Sequence, residues 1–297
     1  MSEATFGASA RSSVPSEEST RHFEPLLRPV LADLYARRAG RLRDLSDQHD
    51  LAEYLRLCAH ICEAQAHCLD EAITAVTHVD PAAIARTGGW PKLLDHMLGH
   101  LRPQVPDAVK PHLDTLIAMS EADRRDTAQA LAEGRFSDAD AATAPFIWAA
   151  LSVEVSQLAR IIPLPEKGEE ETANCPICGT APVASLIHNA DHEGMRYLHC
   201  VLCECEWHMV RAKCSNCGDA GDLDYLSFDT PEASIRAEAC GACGGYLKVI
   251  SQERDADAEL VADDLASLLL DDAARLEGFG RSGFNPFALP VGPTSQN

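Results

Sequence analysis

Cys175-Pro176-Ile177-Cys178-Gly179, Cys200-Val201-Leu202-Cys203-Glu204, Cys214-Ser215-Asn216-Cys217-Gly218 and Cys240-Gly241-Ala242-Cys243-Gly244 are four C-x-x-C knuckles lying within one short region of a 297-residue chain. Each knuckle presents two sulfurs on one side of a tight turn, and two facing knuckles make a tetrahedral four-sulfur set. The turn favours glycine after the second cysteine, where φ is positive. Gly179, Gly218 and Gly244 meet that need, and Glu204 departs from it. Twenty-one residues separate Cys178 from Cys200 and twenty-two separate Cys217 from Cys240. Each interval fits a hairpin of two or three short strands, as in zinc ribbons and rubredoxins. The simplest pairing is sequential: Cys175, Cys178, Cys200 and Cys203 in one site, and Cys214, Cys217, Cys240 and Cys243 in the other. A crossed arrangement, first knuckle with third and second with fourth, is the alternative. The chemistry suits zinc or iron equally. With four protein ligands each, such sites are closed, and so structural or electron-transferring.

Outward from this region the composition changes. Residues 163–173 are acidic and carry Pro and Gly, which marks a boundary. Before it, apolar residues recur at helical spacing from about Glu24: Leu27, Val30, Leu31, Leu34, Tyr35, Leu42 and Leu45, with Arg38 breaking the stripe. Asp50 is expected to cap a second helix carrying Leu51, Leu55, Cys58, Ile61 and Cys62. Further helices are expected over 91–101, 107–119, 121–133 and 138–161, with Pro145 marking a kink or a late start in the last. After the knuckles, one amphipathic helix is expected over 256–277, with Asp263-Asp264 and Asp271-Asp272 on its solvated face. The fold class is therefore α plus small β: a multi-helical N-terminal domain, two rubredoxin-like or zinc-ribbon modules, and a C-terminal helix. The expected divisions are a disordered tail at 1–21, a helical domain at 22–165, an acidic linker at 166–174, ribbons at 175–211 and 212–250, and a helix with tail at 251–297. The cysteine region is short of large apolar residues, so metal is expected to hold it together.

Composition narrows the function. Lys and Arg total 25 against 46 Asp and Glu, a formal charge of −21. The knuckle region itself carries four basic and ten acidic residues over 175–245. That opposes phosphate backbones, so nucleic acid is not an expected partner. No 18-residue apolar run and no apolar leader occur, which points to the cytoplasm and reduced thiols. Cys205 reads as a knuckle-flanking thiol, Cys58 and Cys62 as core residues, and Trp207 as an anchor of the first ribbon. His199 and His208 read as second-layer or surface groups. No catalytic residues and no Gly-rich phosphate loop stand out, so the chain reads as a non-enzyme.

One family fits these residues. Cys-Pro-Ile-Cys-Gly (175–179), Arg-Tyr-Leu-His-Cys-Val-Leu-Cys (196–203), Glu-Trp-His (206–208), Lys-Cys-Ser-Asn-Cys-Gly (213–218), Arg-Ala-Glu-Ala-Cys (236–240) and Gly-Tyr-Leu-Lys (245–248) resemble the formate dehydrogenase accessory protein FdhE. So do Ala-Asp-Asp-Leu-Ala-Ser-Leu (262–268) and Arg-Ser-Gly-Phe-Asn-Pro-Phe (281–287), and the helical half less strongly. The resemblance implies a cytoplasmic, non-catalytic factor needed for respiratory formate dehydrogenase to become active before twin-arginine export. It implies association with the molybdenum-bearing catalytic subunit, and cysteine motifs holding rubredoxin-like metal, iron among the candidates. The return to helix after the ribbons suggests docking of that partner in a groove between the two halves. The rival is a rubredoxin-like electron-transfer protein with two Fe(Cys)4 sites.

Overall fold

The computed structural model describes residues 24–71, 73–163, 172–189, 192–228 and 230–288. The expected disordered head at 1–21 and most of the acidic linker lie outside them. The architecture is α plus small β. After a two-residue strand β1 (Leu26–Leu27) come seven α-helices: α1 (Leu31–Ser46), α2 (Ala52–His67), α3 (Pro81–Thr87), α4 (Trp90–Leu101), α5 (Lys110–Ala118), α6 (Glu121–Ala132) and α7 (Ala144–Ile161). The knuckle region supplies β2 (Ala184–Ile187), β3 (Arg196–His199), β4 (Glu206–His208), β5 (Leu223–Leu226), β6 (Ile235–Cys240) and β7 (Gly245–Ser251). Two short helices, α8 (Leu260–Ala266) and α9 (Leu268–Leu276), and a strand β8 (Gly280–Arg281) follow.

Helix α7 organises the helical half. Every residue from Ala144 to Ala159 is buried, as befits a helix apolar almost all round. Its start at Ala144 resolves the role of Pro145, which sits in the first turn, where a missing N–H costs nothing. The polar atoms on α7 are met inside the core. Tyr35 OH lies 3.3 Å from Ser156 Oγ, and Gln65 Nε2 donates to Ala149 O at 3.1 Å. Glu154 accepts from Gly89 N (3.0 Å) and Trp90 N (2.7 Å), holding the first turn of α4. The expected cap of α2 is corrected. Asp50 is exposed, and His49 Nδ1 accepts from Leu51 N at 3.0 Å instead, because the preceding turn brings the imidazole over the helix entry.

The strands join in one sheet ordered β1-β4-β3-β2-β7-β6-β5, with β8 also on β7. Most neighbours are antiparallel, but β2 and β8 both run parallel to β7. The two ribbons thus meet edge to edge, at Ser185↔Val249, Leu186↔Ile250 and Ile187↔Ser251. A buried bidentate pair crosses the join, from Arg196 on β3 to Glu238 on β6 at 2.8 and 3.0 Å. The first ribbon is not poor in apolar contacts, contrary to expectation. Val183, Leu186, Leu198, Val201, Leu202, Trp207 and Met209 belong to the same continuous core as α1, α2 and α7. The second ribbon fits the expectation in part: Leu247 and Ile250 of β7 join the common core, while Ala237, Ala239 and Tyr246 form a small separate cluster with Leu270 and Ala274 of α9.

The C-terminal helix differs from its sequence reading in two ways. It breaks at Ser267, whose hydroxyl turns back to Asp263 O (2.8 Å) while Lys248 Nζ takes the carbonyls of Asp264 (2.8 Å) and Ser267 (3.0 Å). Its acidic pairs are also not a solvated face. Asp263 and Asp264 are buried, and only Asp272 of the second pair is exposed. Asp263 takes Arg41, while Asp264 takes Arg281 (2.7 Å), Lys248 (3.3 Å) and Asn285 (2.7 Å). Asp271 is bonded to Lys248, Arg281 and Tyr246. Their cationic partners lie outside the helix, on α1, β7 and β8, which is why helical spacing alone misassigns them.

Candidate metal centres

All four knuckles fold alike. The N–H of the residue after the second cysteine donates back to the first cysteine's carbonyl: Gly179 to Cys175 (2.8 Å), Glu204 to Cys200 (2.7 Å), Gly218 to Cys214 (2.9 Å) and Gly244 to Cys240 (2.8 Å). The closing residues all have positive φ: 75°, 57°, 78° and 67° in the same order. Glu204 therefore adopts the left-handed turn despite its side chain.

The sulfurs gather in the sequential pairing. Cys175, Cys178, Cys200 and Cys203 form one set and Cys214, Cys217, Cys240 and Cys243 the other, each with its sulfurs within 4.8 Å of one another. Across the facing knuckles, Cys175–Cys203 and Cys178–Cys200 are both 3.4 Å apart. Cys214–Cys243 and Cys217–Cys240 are 3.8 and 3.7 Å apart. A tetrahedral ion with bonds of about 2.3 Å needs sulfur–sulfur edges of about 3.8 Å. The second set meets that value, and the first needs a small expansion. Both can hold a metal ion.

The two centres differ in their surroundings. All four cysteines of the first are buried, whereas Cys217 and Cys243 of the second are exposed. Burial pushes the Cys200 and Cys203 thiols well up, so together they take the thiolate form readily only beside a cation. At Cys243 burial also works upward, but the Asn216 amide (Nδ2 to Sγ, 3.6 Å) and the Gly245 N–H outweigh it and bring the thiol down to about 7.

Glu204 is the residue the sequence reading undervalued. Its carboxylate is buried and accepts both Nη1 and Nη2 of Arg38 at 2.8 Å. Arg38, 1% exposed, also donates through Nε to Glu259 at 2.9 Å. His199 donates from Nε2 to Glu204 (2.7 Å) and from Nδ1 to Glu206 (3.1 Å), and His188 reaches Glu206 at 2.7 Å. Burial disfavours the charged ring, but the two carboxylates outweigh it and raise His199 to about 10. Burial likewise opposes ionisation of Glu204, yet Arg38 and His199 bring it down to about 2. Arg41 adds pairs to Asp255 (2.5 Å) and Asp263 (2.6 Å). The seam between α1 and the second knuckle is thus closed by paired charge. Two anomalies could have signalled this network: an arginine within an apolar stripe, and a non-glycine at a left-handed turn.

The remaining residues fall as follows. Cys205, Cys58 and Cys62 are buried, and Cys58 and Cys62 lie in the core of the helical half. Trp207 packs in the common core and donates Nε1 to Thr172 O at 2.8 Å. The His208 ring meets Tyr197 edge-on at 5.7 Å. Among the described residues no helix is long and apolar enough to cross a membrane.

Comparison with known proteins places this arrangement. Models of the N-terminal, central and C-terminal domains of FdhE match residues 23–172, 174–211 and 212–288. A protein described as an FdhE homolog from Citrobacter koseri is 44% identical over 282 residues, covering 90% of this chain and 91% of its own. One from Yersinia pestis is likewise 44% identical with the same coverage. The crystal structure of the FdhE protein from Pseudomonas aeruginosa superposes with a TM-score of 0.81 at 36% identity, covering 90% of this chain and 99% of that one.

Proposed function

The chain belongs to the FdhE family, and from that membership we propose that it is a non-catalytic accessory factor for the maturation of respiratory formate dehydrogenase. It binds the catalytic subunit in the cytoplasm, before export. The observation that carries this reading is the match of all three family regions across one continuous chain, knuckles included. Cys175, Cys178, Cys200 and Cys203, and Cys214, Cys217, Cys240 and Cys243, each hold one ion, iron or zinc. When bound, that ion neutralises the thiolates and ties two knuckles together, and with iron it supplies a one-electron couple. Four sulfur ligands leave no position for a substrate, which supports a role in binding rather than turnover. The charge of −21 favours a folded protein as partner over nucleic acid.

The test is recovery of partners. The tagged protein, purified anaerobically from its host, is expected to bring down a formate dehydrogenase catalytic subunit, and the Cys175→Ala variant to lose it. Recovery of a reductase in its place would refute the accessory role. That outcome belongs to a second reading, electron transfer at an iron site, which the exposure of Cys217 and Cys243 favours. It predicts a coloured protein with a reversible couple.

A further inference from the structure

Strand β5 ends one side of the sheet, where among the described residues it pairs with β6 alone, and the face beside it is apolar. Among the described residues nine large apolar side chains are exposed, and Tyr225, Phe228 and Leu276 line one groove here. Among the described residues Phe228 is 64% exposed and Leu276 85%. A groove of about 690 Å³ runs between β5 with its following turn and the outer face of α9, lined by Tyr225, Leu226, Phe228, Leu270 and Leu276 among others. Leu269 lies on that same helix face, two turns before Leu276.

The edge itself specifies what can lie there. Tyr225 N–H donates to the neighbouring Asp224 Oδ1 at 2.8 Å rather than to a strand. It is an edge amide capped by a carboxylate that an incoming strand can displace. Asp222 and Asp224 are exposed along the edge, and Glu277 stands on the opposite wall. Arg236 is the one cation among the lining residues, and its guanidinium lies over the Tyr225 ring at 4.6 Å. A second copy of this chain, itself at −21, is repelled from such a rim.

We propose that an extended segment of the partner protein, apolar at alternate positions and flanked by Lys or Arg, pairs with β5 and fills this groove. The proposal rests on the reading that the partner is a formate dehydrogenase catalytic subunit.

Hydrogen exchange of the full, metal-loaded chain with and without the catalytic subunit tests it. Backbone amides of 223–226 are expected to slow on complex formation. Phe228→Asp with Leu276→Asp, both at exposed positions, and separately Asp222→Lys with Asp224→Lys, are each expected to weaken the complex by roughly tenfold or more. A complex of undiminished affinity in both variants, with 223–226 exchanging as in the free chain, overturns the surface and leaves the accessory role standing. Slowing of 223–226 on concentrating the chain alone makes a second copy the occupant and overturns the proposal. Absence of any complex with the wild-type chain removes the accessory reading and this inference together.

Discussion

At Glu204 two effects oppose each other. A glycine there would relieve the left-handed backbone by about 1–2 kcal/mol. It would also leave the Arg38 guanidinium buried beside an emptied carboxylate site, and orphaning one partner of such a pair costs about 3–5 kcal/mol. The second effect wins, so Glu204→Gly is expected to lose roughly 1–4 kcal/mol in denaturant unfolding of the metal-loaded protein. A gain in stability would mean that the pair is worth less than the turn. Asp264 gives a pH-dependent counterpart. Burial opposes its ionisation, but Arg281 and Lys248 hold its carboxyl below the ordinary value of 3.8. A depressed carboxyl contributes stability that is complete above its unfolded value and declines as pH falls through the folded one. The stability gap between wild type and Asp264→Asn is therefore expected to be widest above about pH 5 and to narrow below pH 4. A gap that is flat across an acid titration would contradict this arrangement of charge.

The two ribbons differ as elements. The first rests on the core of the helical half, whereas the second joins that core through Leu247 and Ile250 of β7 and otherwise has a small cluster shared with α9 and two exposed cysteines. Chelator is thus expected to remove the ion from the second centre first, in two resolved phases read by metal release against a coloured indicator. A single phase releasing both ions together would show the centres to be equivalent. By the same asymmetry, Cys240→Ala is expected to unfold its ribbon locally, visible as lost amide dispersion over 212–244, while β7 stays paired to β2 and the apolar packing of the first ribbon survives. The knuckles were readable from sequence because C-x-x-C spacing and the closing glycines are local. The helices of the first half other than α3 were readable for the same reason, since their apolar positions repeat every three or four residues; α3, seven residues between Asp80-Pro81 and Gly88, is too short to show that repeat. The parallel join of β2 to β7 was not, because it brings together Leu186 and Ile250 with no local signal. Nor was the break at Ser267, which depends on Lys248 reaching carbonyls from another strand.

On the scale of the whole molecule, the core runs without interruption from Leu31 through α7 to Leu198 and Phe287. The last described segment fastens it. Phe284 stacks on Phe136 with ring centres 3.7 Å apart and meets Trp148 edge-on at 5.2 Å. Phe284→Ala is expected to cost about 3–5 kcal/mol and to lower the melting point of helical and sheet signals together. Separate melting of the two would indicate independent halves. The acidic boundary at 163–173 therefore marks a change of composition more than a break in packing.

This continuity has a consequence for synthesis. Arg38 and Glu204 are 166 residues apart, and Tyr197 OH reaches back 173 residues to Glu24 O. The ribosome extends a chain at about 5–20 residues per second, so the N-terminal helices emerge roughly 10–30 s before their charged and apolar counterparts. During that interval the α1 face carrying Arg38 is uncovered, and the nascent half offers chaperones a surface that the finished protein hides.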